Sequence, residues 1–223
     1  MTAGVSDMED VLEPLIRSPK LPNYIRQLET ALAEEQRKRQ HFYETIREGD
    51  KVEFINGEVV MSSPVRLEHN DASFTLAMLI RGFADARGLG IVGHEKLMIS
   101  LSRNDYEPDV CFWGKEKAAG LQPEQLRFPA PDFAAEVLSD STEGIDRGVK
   151  FEDYAAHGIA EYWIVDAEHE SVEQYLLEGD KYVLAVKTGD GTLKSQVIPG
   201  FVIPARALFD PTERQRALRA LLG

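Results

Sequence analysis

One segment constrains the fold more than any other, because its composition is that of a strand with no solvent-facing side. Residues 161–166 form a nearly continuous aromatic and β-branched run, Glu-Tyr-Trp-Ile-Val-Asp. A second strand pattern spans 132–139, and a helix pattern with a cap at 140–142 runs to His157, where Gly158 ends it. Strand, helix and strand in this order predict a right-handed parallel crossover. The inner strands of the sheet should therefore be covered on both faces.

The rest of the chain adds hairpins and helices around this unit. Asn56-Gly57 predicts a type I′ turn between strands at 52–55 and 58–61. The further predicted elements are a core-facing helix at 67–86, strands at 91–101 and 107–113, a loop at 115–131, a hairpin of 171–177 with 181–186, a strand after Pro199-Gly200, and a closing helix at 211–222. This order predicts an α+β, or mixed α/β, fold without internal repeats.

The N-terminal quarter of the chain is expected to be separate in character. Residues 1–21 have no periodic pattern and predict a flexible arm, whereas 22–48 predict one long helix. That helix could mediate association or lie across its own domain, and its thin apolar stripe favours the second interpretation. The main domain is expected to span 49–223.

Composition excludes several classes of protein. The chain has 223 residues, with 25 Lys and Arg against 38 Asp and Glu, a formal charge of −13 that argues against bulk attraction to nucleic acid. The single cysteine, Cys111, excludes a disulfide framework and a cysteine-held zinc. An acidic start and the absence of an apolar run of roughly 20 residues argue against a signal peptide and a membrane helix. We expect a cytoplasmic protein.

Two acidic residues interrupt strands that otherwise look like core. Asp109 lies in Glu-Pro-Asp-Val-Cys-Phe-Trp, and Glu136 lies in Phe-Ala-Ala-Glu-Val-Leu. A carboxylate within an apolar strand is costly unless it is paired or binds a metal. By strand alternation Glu136 faces away from Phe133, Ala135 and Val137. These two acids predict a cation site.

A third candidate, Lys150, lies on the predicted crossover helix with Asp146 one turn before it and Tyr154 one turn after. Lys150 could pair with Glu136, neutralise charge on a phosphate, or position a water molecule. The residues alone favour a simpler interpretation, an exposed i,i+4 pair of Asp146 and Lys150. Tyr154 and His157 are expected to be partly exposed, and no role is assigned to them.

Other chemistries find less support in the sequence. The chain has no Gly-x-Ser-x-Gly motif around Ser62, Ser63 or Ser139, and its five histidines have no His-Glu-x-x-His spacing. An unrelated hydrolase is therefore not expected. The aromatic residues of the central strands, such as Trp113 and Trp163, are expected to pack in the core rather than to stack on bases.

Several spaced segments together resemble the Uma-type putative restriction endonucleases, a bacterial branch of the PD-(D/E)XK nuclease superfamily. The segments are Glu53–Glu58, Pro108–Val110, Pro131–Ser139, Asp146–Lys150 and Gly158–Asp166. The resemblance covers roughly residues 51–210 and implies a restriction-endonuclease-like core, a mixed sheet flanked by helices. It also implies metal-dependent hydrolysis of DNA, with Mg²⁺, or Mn²⁺ in its place, held by Asp109, Glu136 and the backbone carbonyl of Val137.

The chain departs from the superfamily pattern at Leu138, which stands where a strand lysine is usual. In the Uma-type branch Lys150 looks like the replacement, with Asp146 holding its ammonium. Glu53 matches the family's hairpin acid and is either a metal or water contact or a surface charge. His69 matches a recurrent family position and is either a substrate contact or a capping or packing residue.

The expected partner is DNA, and a homodimer is expected through the terminal strands and the long helix. A net negative chain needs a local basic surface to bind DNA. The candidates for it are Arg66, Arg81, Arg87, Arg147 and Lys150. The alternative is a catalytically inactive nuclease-like scaffold that binds nucleic acid or protein.

Overall fold

The computed structural model describes residues 3–47 and 49–223, with the side chains of 3–9 left out. Its contacts divide the chain into two compact units, Met1–Met61 and Ser62–Gly223. The predicted domain boundary lies at residue 49, twelve residues or so before this division, and the predicted long helix ends at residue 48, which is outside the described residues.

Two helices and a hairpin make up the first unit. They are α1 (Ala3–Ile16), α2 (Leu21–Thr45), β1 (Val52–Ile55) and β2 (Glu58–Met61). The structure has a helix, α1, where a flexible arm without periodic structure was predicted. Pro14 lies inside this helix. Pro22 falls in the first turn of α2, where its missing N–H costs no hydrogen bond.

The β1–β2 hairpin confirms the predicted turn. Phe54 is opposite Val59, and the turn residues Asn56 and Gly57 have φ angles of 51° and 82°, as a type I′ turn requires. The Phe54 ring lies 5.6 Å from that of Phe42 on α2. This packing places the hairpin in the same unit as the long helix.

The second unit holds a six-stranded sheet, three further paired strands and a terminal strand pair. Its elements are α3 (Leu67–Arg87), β3 (Gly90–His94), β4 (Met98–Ser100), β5 (Asp105–Tyr106), β6 (Val110–Gly114), α4 (Lys115–Ala118), β7 (Arg127–Phe128), β8 (Phe133–Val137), α5 (Glu143–Asp146), α6 (Val149–Ala156), β9 (Glu161–Asp166), β10 (Ser171–Glu178), β11 (Lys181–Thr188), β12 (Thr192–Lys194), β13 (Val202–Pro204), a 3-10 helix (Ala205–Leu208) and α7 (Pro211–Leu222).

The main sheet has six strands in the order β11-β10-β9-β8-β6-β3. Only β8 and β9 are parallel, and they flank the crossover of α5 and α6, as predicted; the other pairs are antiparallel. Phe133, Ala135 and Val137 pack into the core with α3 and α7. Glu136 therefore lies on the opposite face, toward α6. The mixed sheet flanked by helices is confirmed.

Several predicted boundaries were wrong. The single strand expected at 91–101 is two strands, β3 and β4, because Glu95 and Lys96 have positive φ angles of 47° and 48° and turn the chain away from the main sheet. The expected strand at 107–113 begins only at Val110. The loop expected at 115–131 contains α4 and β7, and β12 had no predicted counterpart.

The crossover helix was predicted as continuous but is broken between α5 and α6. Gly148 has φ −108° and ψ −104°, a conformation outside the helical region. A Cβ on Gly148 would lie 2.6 Å from the carbonyl oxygen of Gly144. The break therefore depends on glycine at this position, and it sets the direction in which α6 presents Lys150.

One buried carboxylate ties the main sheet to the C-terminal segment. Glu161, at the start of β9, is fully buried. Its oxygens accept hydrogen bonds from side chains of β9 and β10 and from residues that follow β12. The donors are Trp163 Nε1, Gln174 Nε2, Ser195 Oγ, and the backbone N–H groups of Gln196 and Val197. These five donors satisfy the hydrogen-bonding capacity of a buried carboxyl group.

The described residues contain no helix that is both long and apolar enough to cross a membrane.

Candidate active site

Asp109, which directly precedes β6, lies opposite Glu136 of the adjacent strand β8. The register of β6 and β8 pairs Val110 with Ala135, so Asp109 and Glu136 follow as the next opposed pair. Each carboxylate also meets the other strand's backbone: the Val137 N–H donates to Asp109 Oδ2 at 2.8 Å, and the Asp109 N–H donates to Glu136 Oε2 at 3.4 Å. Both residues are buried. The two predicted acids thus form one site.

Lys150 reaches this site from α6. Its Nζ lies 3.1 Å from Glu136 Oε1 and 3.1 Å from Asp146 Oδ1, and all three side chains are buried. The Nζ also lies 5.9 Å from the centre of the Tyr106 ring. The interpretation of Asp146 and Lys150 as an exposed helix pair was therefore wrong, because α6 turns this stripe toward the sheet.

Tyr154 belongs to the site, although no role was predicted for it and partial exposure was expected. It is fully buried, and its hydroxyl donates to Glu136 Oε1 at 2.8 Å. The available signal was the stripe that Asp146, Lys150 and Tyr154 share along the helix. Which face of that helix is buried could not be read from a stripe with so few apolar residues.

Asp146 is anchored by both its side chain and its backbone. Tyr162 on β9 donates its hydroxyl to the Asp146 carbonyl oxygen at 3.1 Å. Because Asp146 ends α5, this bond fixes the end of that helix against the sheet. The position of the carboxylate that contacts Lys150 is thereby set by a strand of the main sheet.

His69 is brought to the site from α3. Its Nε2 lies 3.5 Å from Asp109 Oδ2, and its buried Nδ1 has no hydrogen-bond partner among the described residues. The cap position of α3 is Arg66, and this end of the helix has no side-chain cap bond. The structure therefore does not support a capping role for His69.

Glu53 lies on β1 in the other unit. It is only 7% exposed, which argues against a solvated hairpin charge. Its predicted contact with a metal or with water stays a prediction.

The site carries excess negative charge. Asp109, Glu136 and Asp146 bring three carboxyl groups together here, and the Lys150 ammonium lies beside two of them. The field of Glu136 reaches its neighbours: burial first, and then the Glu136 charge, raise the pKa of Tyr162 and of the Cys111 thiol above their ordinary values. A further cation would be favoured here.

A divalent metal fits this donor set. Within the described part of the chain no three His, Cys, Asp or Glu side chains are grouped as a metal cluster. Mg²⁺, however, is commonly held by one or two carboxylates and completes its shell with water and substrate phosphates. Asp109 and Glu136 supply those two carboxylates.

A cleft of about 240 Å³ opens beside the site. It is lined by His69, which contacts Asp109, and by Leu138, two residues beyond Glu136. Its other walls are the start of α3, the segment from β8 to α5, and the β9–β10 turn. Of its charged residues, Arg66 is basic, whereas Glu68, Asp140, Glu143, Asp166 and Glu168 are acidic.

The basic residues that were expected to form a DNA-binding surface are already engaged. Arg66 pairs with Glu68, Asp140 and Glu168, and Arg81 pairs with Asp85. Arg147 binds Glu143 and Glu173, Arg87 lies over the Phe83 ring, and Lys150 is buried. Acidic neighbours therefore offset most of this predicted positive surface.

The fold and the site define the chain as one with the restriction-endonuclease-like architecture. Residues 39–206 match the family model described as Uma2, "Putative restriction endonuclease", and the chain belongs to this family. An uncharacterized protein of Synechocystis sp. is 31% identical over 134 residues, which are 59% of this chain and 75% of that protein.

One solved structure supports the fold. The crystal structure of a "putative nuclease belonging to DUF820" from Anabaena variabilis has a TM-score of 0.65 at 14% identity, and the match covers 75% of this chain and 94% of that one. The type IIG restriction endonuclease BpuSI has a TM-score of 0.38 at 14% identity, over 73% of this chain and 17% of that one.

Proposed function

We propose that this protein is a metal-dependent endonuclease that hydrolyses phosphodiester bonds in DNA. The observation that carries the proposal is the opposed pair of buried carboxylates, Asp109 and Glu136, with the Lys150 ammonium on one of them. Membership of a family described as restriction endonucleases supports the same conclusion.

Asp109, Glu136 and the backbone carbonyl of Val137 would hold the metal, which we propose to be Mg²⁺, with Mn²⁺ as a substitute. The bound metal would lower the pKa of a water molecule and stabilise the negative charge that develops on the phosphate. The backbone N–H groups of Val137 and Asp109 hold the two carboxylates in place. His69, packed against Asp109, restricts that carboxylate further.

Lys150 would act as an electrostatic group in this mechanism. Its ammonium lies between Glu136 and Asp146, so its charge stays fixed at the site. A fixed positive charge in a buried site stabilises a developing oxyanion more than a mobile surface lysine would. It takes the place of the strand lysine that Leu138 replaces.

Cleavage of supercoiled plasmid DNA tests the proposal. Wild-type protein with Mg²⁺ or Mn²⁺ is expected to give nicked or linear DNA, whereas Glu136→Ala, purified in parallel, is expected to give none. Asp71→Asn is the matched control, because Asp71 pairs with Arg214 away from the site and is half exposed. Equal cutting by wild type and Glu136→Ala would assign the activity to another site or to a contaminant.

The alternative is an inactive scaffold that binds nucleic acid or protein. Two observations favour this alternative: Leu138 stands in the usual lysine position, and Lys150 is already paired with two acidic residues. Calorimetry separates the two: a scaffold would show no Mn²⁺ binding that Asp109→Asn removes, and no cutting by the wild type.

We also propose a homodimer and a cytoplasmic location. Exposed apolar side chains follow one side of α2, at Ile25, Leu28 and Leu32, and lie on the edge strand β11, at Val183 and Leu184. Light scattering should give about twice the 25.0 kDa of one chain. Leu28→Glu and Val183→Glu, tested separately, would show which surface is used. A 25.0 kDa particle would refute the dimer.

A further inference from the structure

The two oxygens of Glu136 lie in different surroundings. Oε1 accepts a hydrogen bond from the Tyr154 hydroxyl at 2.8 Å and one from Lys150 Nζ at 3.1 Å. Oε2 is on the side of Asp109, whose backbone N–H is 3.4 Å away. The carboxylate therefore has one oxygen turned toward α6 and one turned toward the neighbouring acid.

The packing around the Tyr154 ring holds its hydroxyl in one direction. Its ring packs edge to face against Tyr106 at 5.4 Å and against Tyr162 at 5.2 Å, and no part of it is exposed. Both neighbours are themselves tied down: Tyr106 donates to Asp153, and Tyr162 donates to the Asp146 carbonyl. The hydroxyl cannot swing away from Glu136 without disturbing this packing.

Lys150 and Tyr154 both contact Glu136 Oε1, but they affect the carboxyl group in different ways. Lys150 divides its charge between Glu136 and Asp146, at 3.1 Å from each. The Tyr154 hydroxyl donates to Glu136 Oε1 at 2.8 Å, a shorter contact than the 3.1 Å of Lys150 Nζ to the same oxygen. A directional bond from a neutral donor fixes the plane of a carboxylate, whereas an ammonium supplies mainly charge.

We propose that Tyr154 is a positioning residue that orients Glu136 so that Oε2 faces Asp109 and a divalent cation can bind between the two carboxylates. This inference rests on the proposed function, because it concerns the same metal. Mutation of a residue that hydrogen-bonds to a metal-ligating side chain commonly lowers metal affinity by about 10- to 100-fold.

Tyr154→Phe tests the role, and Tyr182→Phe is its matched control. Tyr182 is also buried in the aromatic cluster, 5.7 Å from Tyr162, and its hydroxyl donates to the Ile159 carbonyl, outside the site. Each variant removes one buried hydroxyl and the hydrogen bond that this hydroxyl donates to Glu136 or to the Ile159 carbonyl. Similar falls in the melting temperature are therefore expected for both.

Calorimetric titration of Mn²⁺ into the protein without DNA should separate the variants. We expect Tyr154→Phe to weaken Mn²⁺ binding about tenfold and Tyr182→Phe to leave it unchanged. In plasmid cleavage at saturating metal, Tyr154→Phe should lower kcat and leave KM for DNA unchanged. Fluorotyrosine at position 154, which keeps the hydroxyl, should restore the Mn²⁺ affinity.

Unchanged Mn²⁺ affinity in Tyr154→Phe, or equal weakening in both variants, would overturn the positioning role while the wild-type protein still binds metal and cuts DNA. Failure of the wild type to bind Mn²⁺ would instead overturn the proposed function, and this inference with it. The fluorotyrosine protein keeps the test decisive if Tyr154→Phe does not fold: weak metal binding by that protein would contradict a role for the hydroxyl.

Discussion

Lys150 makes it possible for two carboxylates to share a buried pocket at the edge of β8. Glu136 and Asp146 each lie 3.1 Å from its ammonium, and each of the three side chains is at most 4% exposed. Removing one partner of a buried ion pair leaves the other charged group without compensation and without water. The stability of the fold and the proposed chemistry thus depend on the same nitrogen atom.

Lys150→Met should therefore destabilise the protein by roughly 3–5 kcal/mol, because two buried carboxylates lose their counter-ion. Lys187→Met is the control: Lys187 pairs with Glu173 but is 59% exposed, and its loss should cost no more than about 1 kcal/mol. Urea denaturation of the two variants measures the difference. Equal and small losses would show that Lys150 does not compensate the buried charge.

Glu173 predicts a dependence of stability on pH. Burial alone would raise the pKa of Glu173, but hydrogen bonds from Arg147, Tyr175 and Lys187 outweigh it and bring the pKa to about 2, from an ordinary 4.5. The ionised form is favoured in the folded state. This contribution to stability is therefore fully present above pH 4.5 and is lost as the pH falls toward 2.

Glu173→Gln provides the measurement. The stability difference between wild type and this variant should be constant from neutral pH down to about 5 and should shrink below pH 4.5. Denaturation curves at pH 7 and at successively lower pH values follow it. A difference that grows on acidification would show that the sign is wrong.

At the scale of elements, the break between α5 and α6 decides where Lys150 points. Gly148 adopts a conformation that is not helical, and the Gly144 carbonyl oxygen occupies the space that its Cβ would need. A continuous helix over the same residues would present a different stripe to the sheet. The position of Lys150 in the site thus depends more on the break at Gly148 than on the length of the crossover segment.

Gly148→Ala should cost roughly 1–3 kcal/mol of stability, because the new Cβ would lie 2.6 Å from backbone and the chain must shift. Gly144→Ala has no atom within 4 Å of its Cβ and should be neutral or stabilise by about 0.5–1 kcal/mol. Thermal unfolding and Mn²⁺ titration of both variants test this. If the two alanines behave alike, the break does not require glycine.

The elements differ in how far the sequence reveals them, for physical reasons. β9 was predictable because a strand buried on both faces needs a continuous apolar run. The division of 91–101 into β3 and β4 was not, because Glu95 and Lys96 adopt positive φ without a glycine or asparagine to signal it. Local residue types record local conformation, whereas this turn is imposed by the strands on either side.

The same distinction applies to the site. Asp109 and Glu136 stood out because acids are rare in apolar strands, and the structure places them together. Tyr154 was not recognised because a tyrosine on a helix is unremarkable until its face is known to be buried. The burial depends on packing against β9, through Tyr162, which the sequence alone does not specify.

At the scale of the whole molecule, charge would govern the approach of DNA, the proposed substrate. The chain carries −13, and Arg66 in the cleft beside the site is paired with acidic neighbours. A phosphate entering the cleft must compete with those carboxylates. Weak non-specific binding with a shallow dependence on salt is the expected consequence.

Removing the competing charges should strengthen binding. Asp140→Asn together with Glu168→Gln frees Arg66 from two partners, at 3.1 and 3.4 Å. The affinity for a labelled duplex should rise about fivefold at low salt, which corresponds to about 1 kcal/mol, and less at high salt. Glu116→Gln together with Glu124→Gln removes the same number of charges from two exposed acids outside the cleft and controls for net charge. Fluorescence anisotropy gives both affinities; an equal gain from this control would exclude a specific effect of Arg66.

The hydrogen bonds of Glu161 have a consequence for the order in which the chain is made. Three of its donors, at positions 195–197, lie 34 to 36 residues further along, whereas every proposed catalytic residue precedes it. The ribosome therefore synthesises every proposed catalytic residue before it synthesises residues 195–197, which hydrogen-bond to the buried Glu161 carboxyl group. A chain that stopped short of residue 195 would contain every proposed catalytic residue but would leave the buried Glu161 carboxylate without three of its five described donors, so β9 should be less stable in that chain than in the finished molecule.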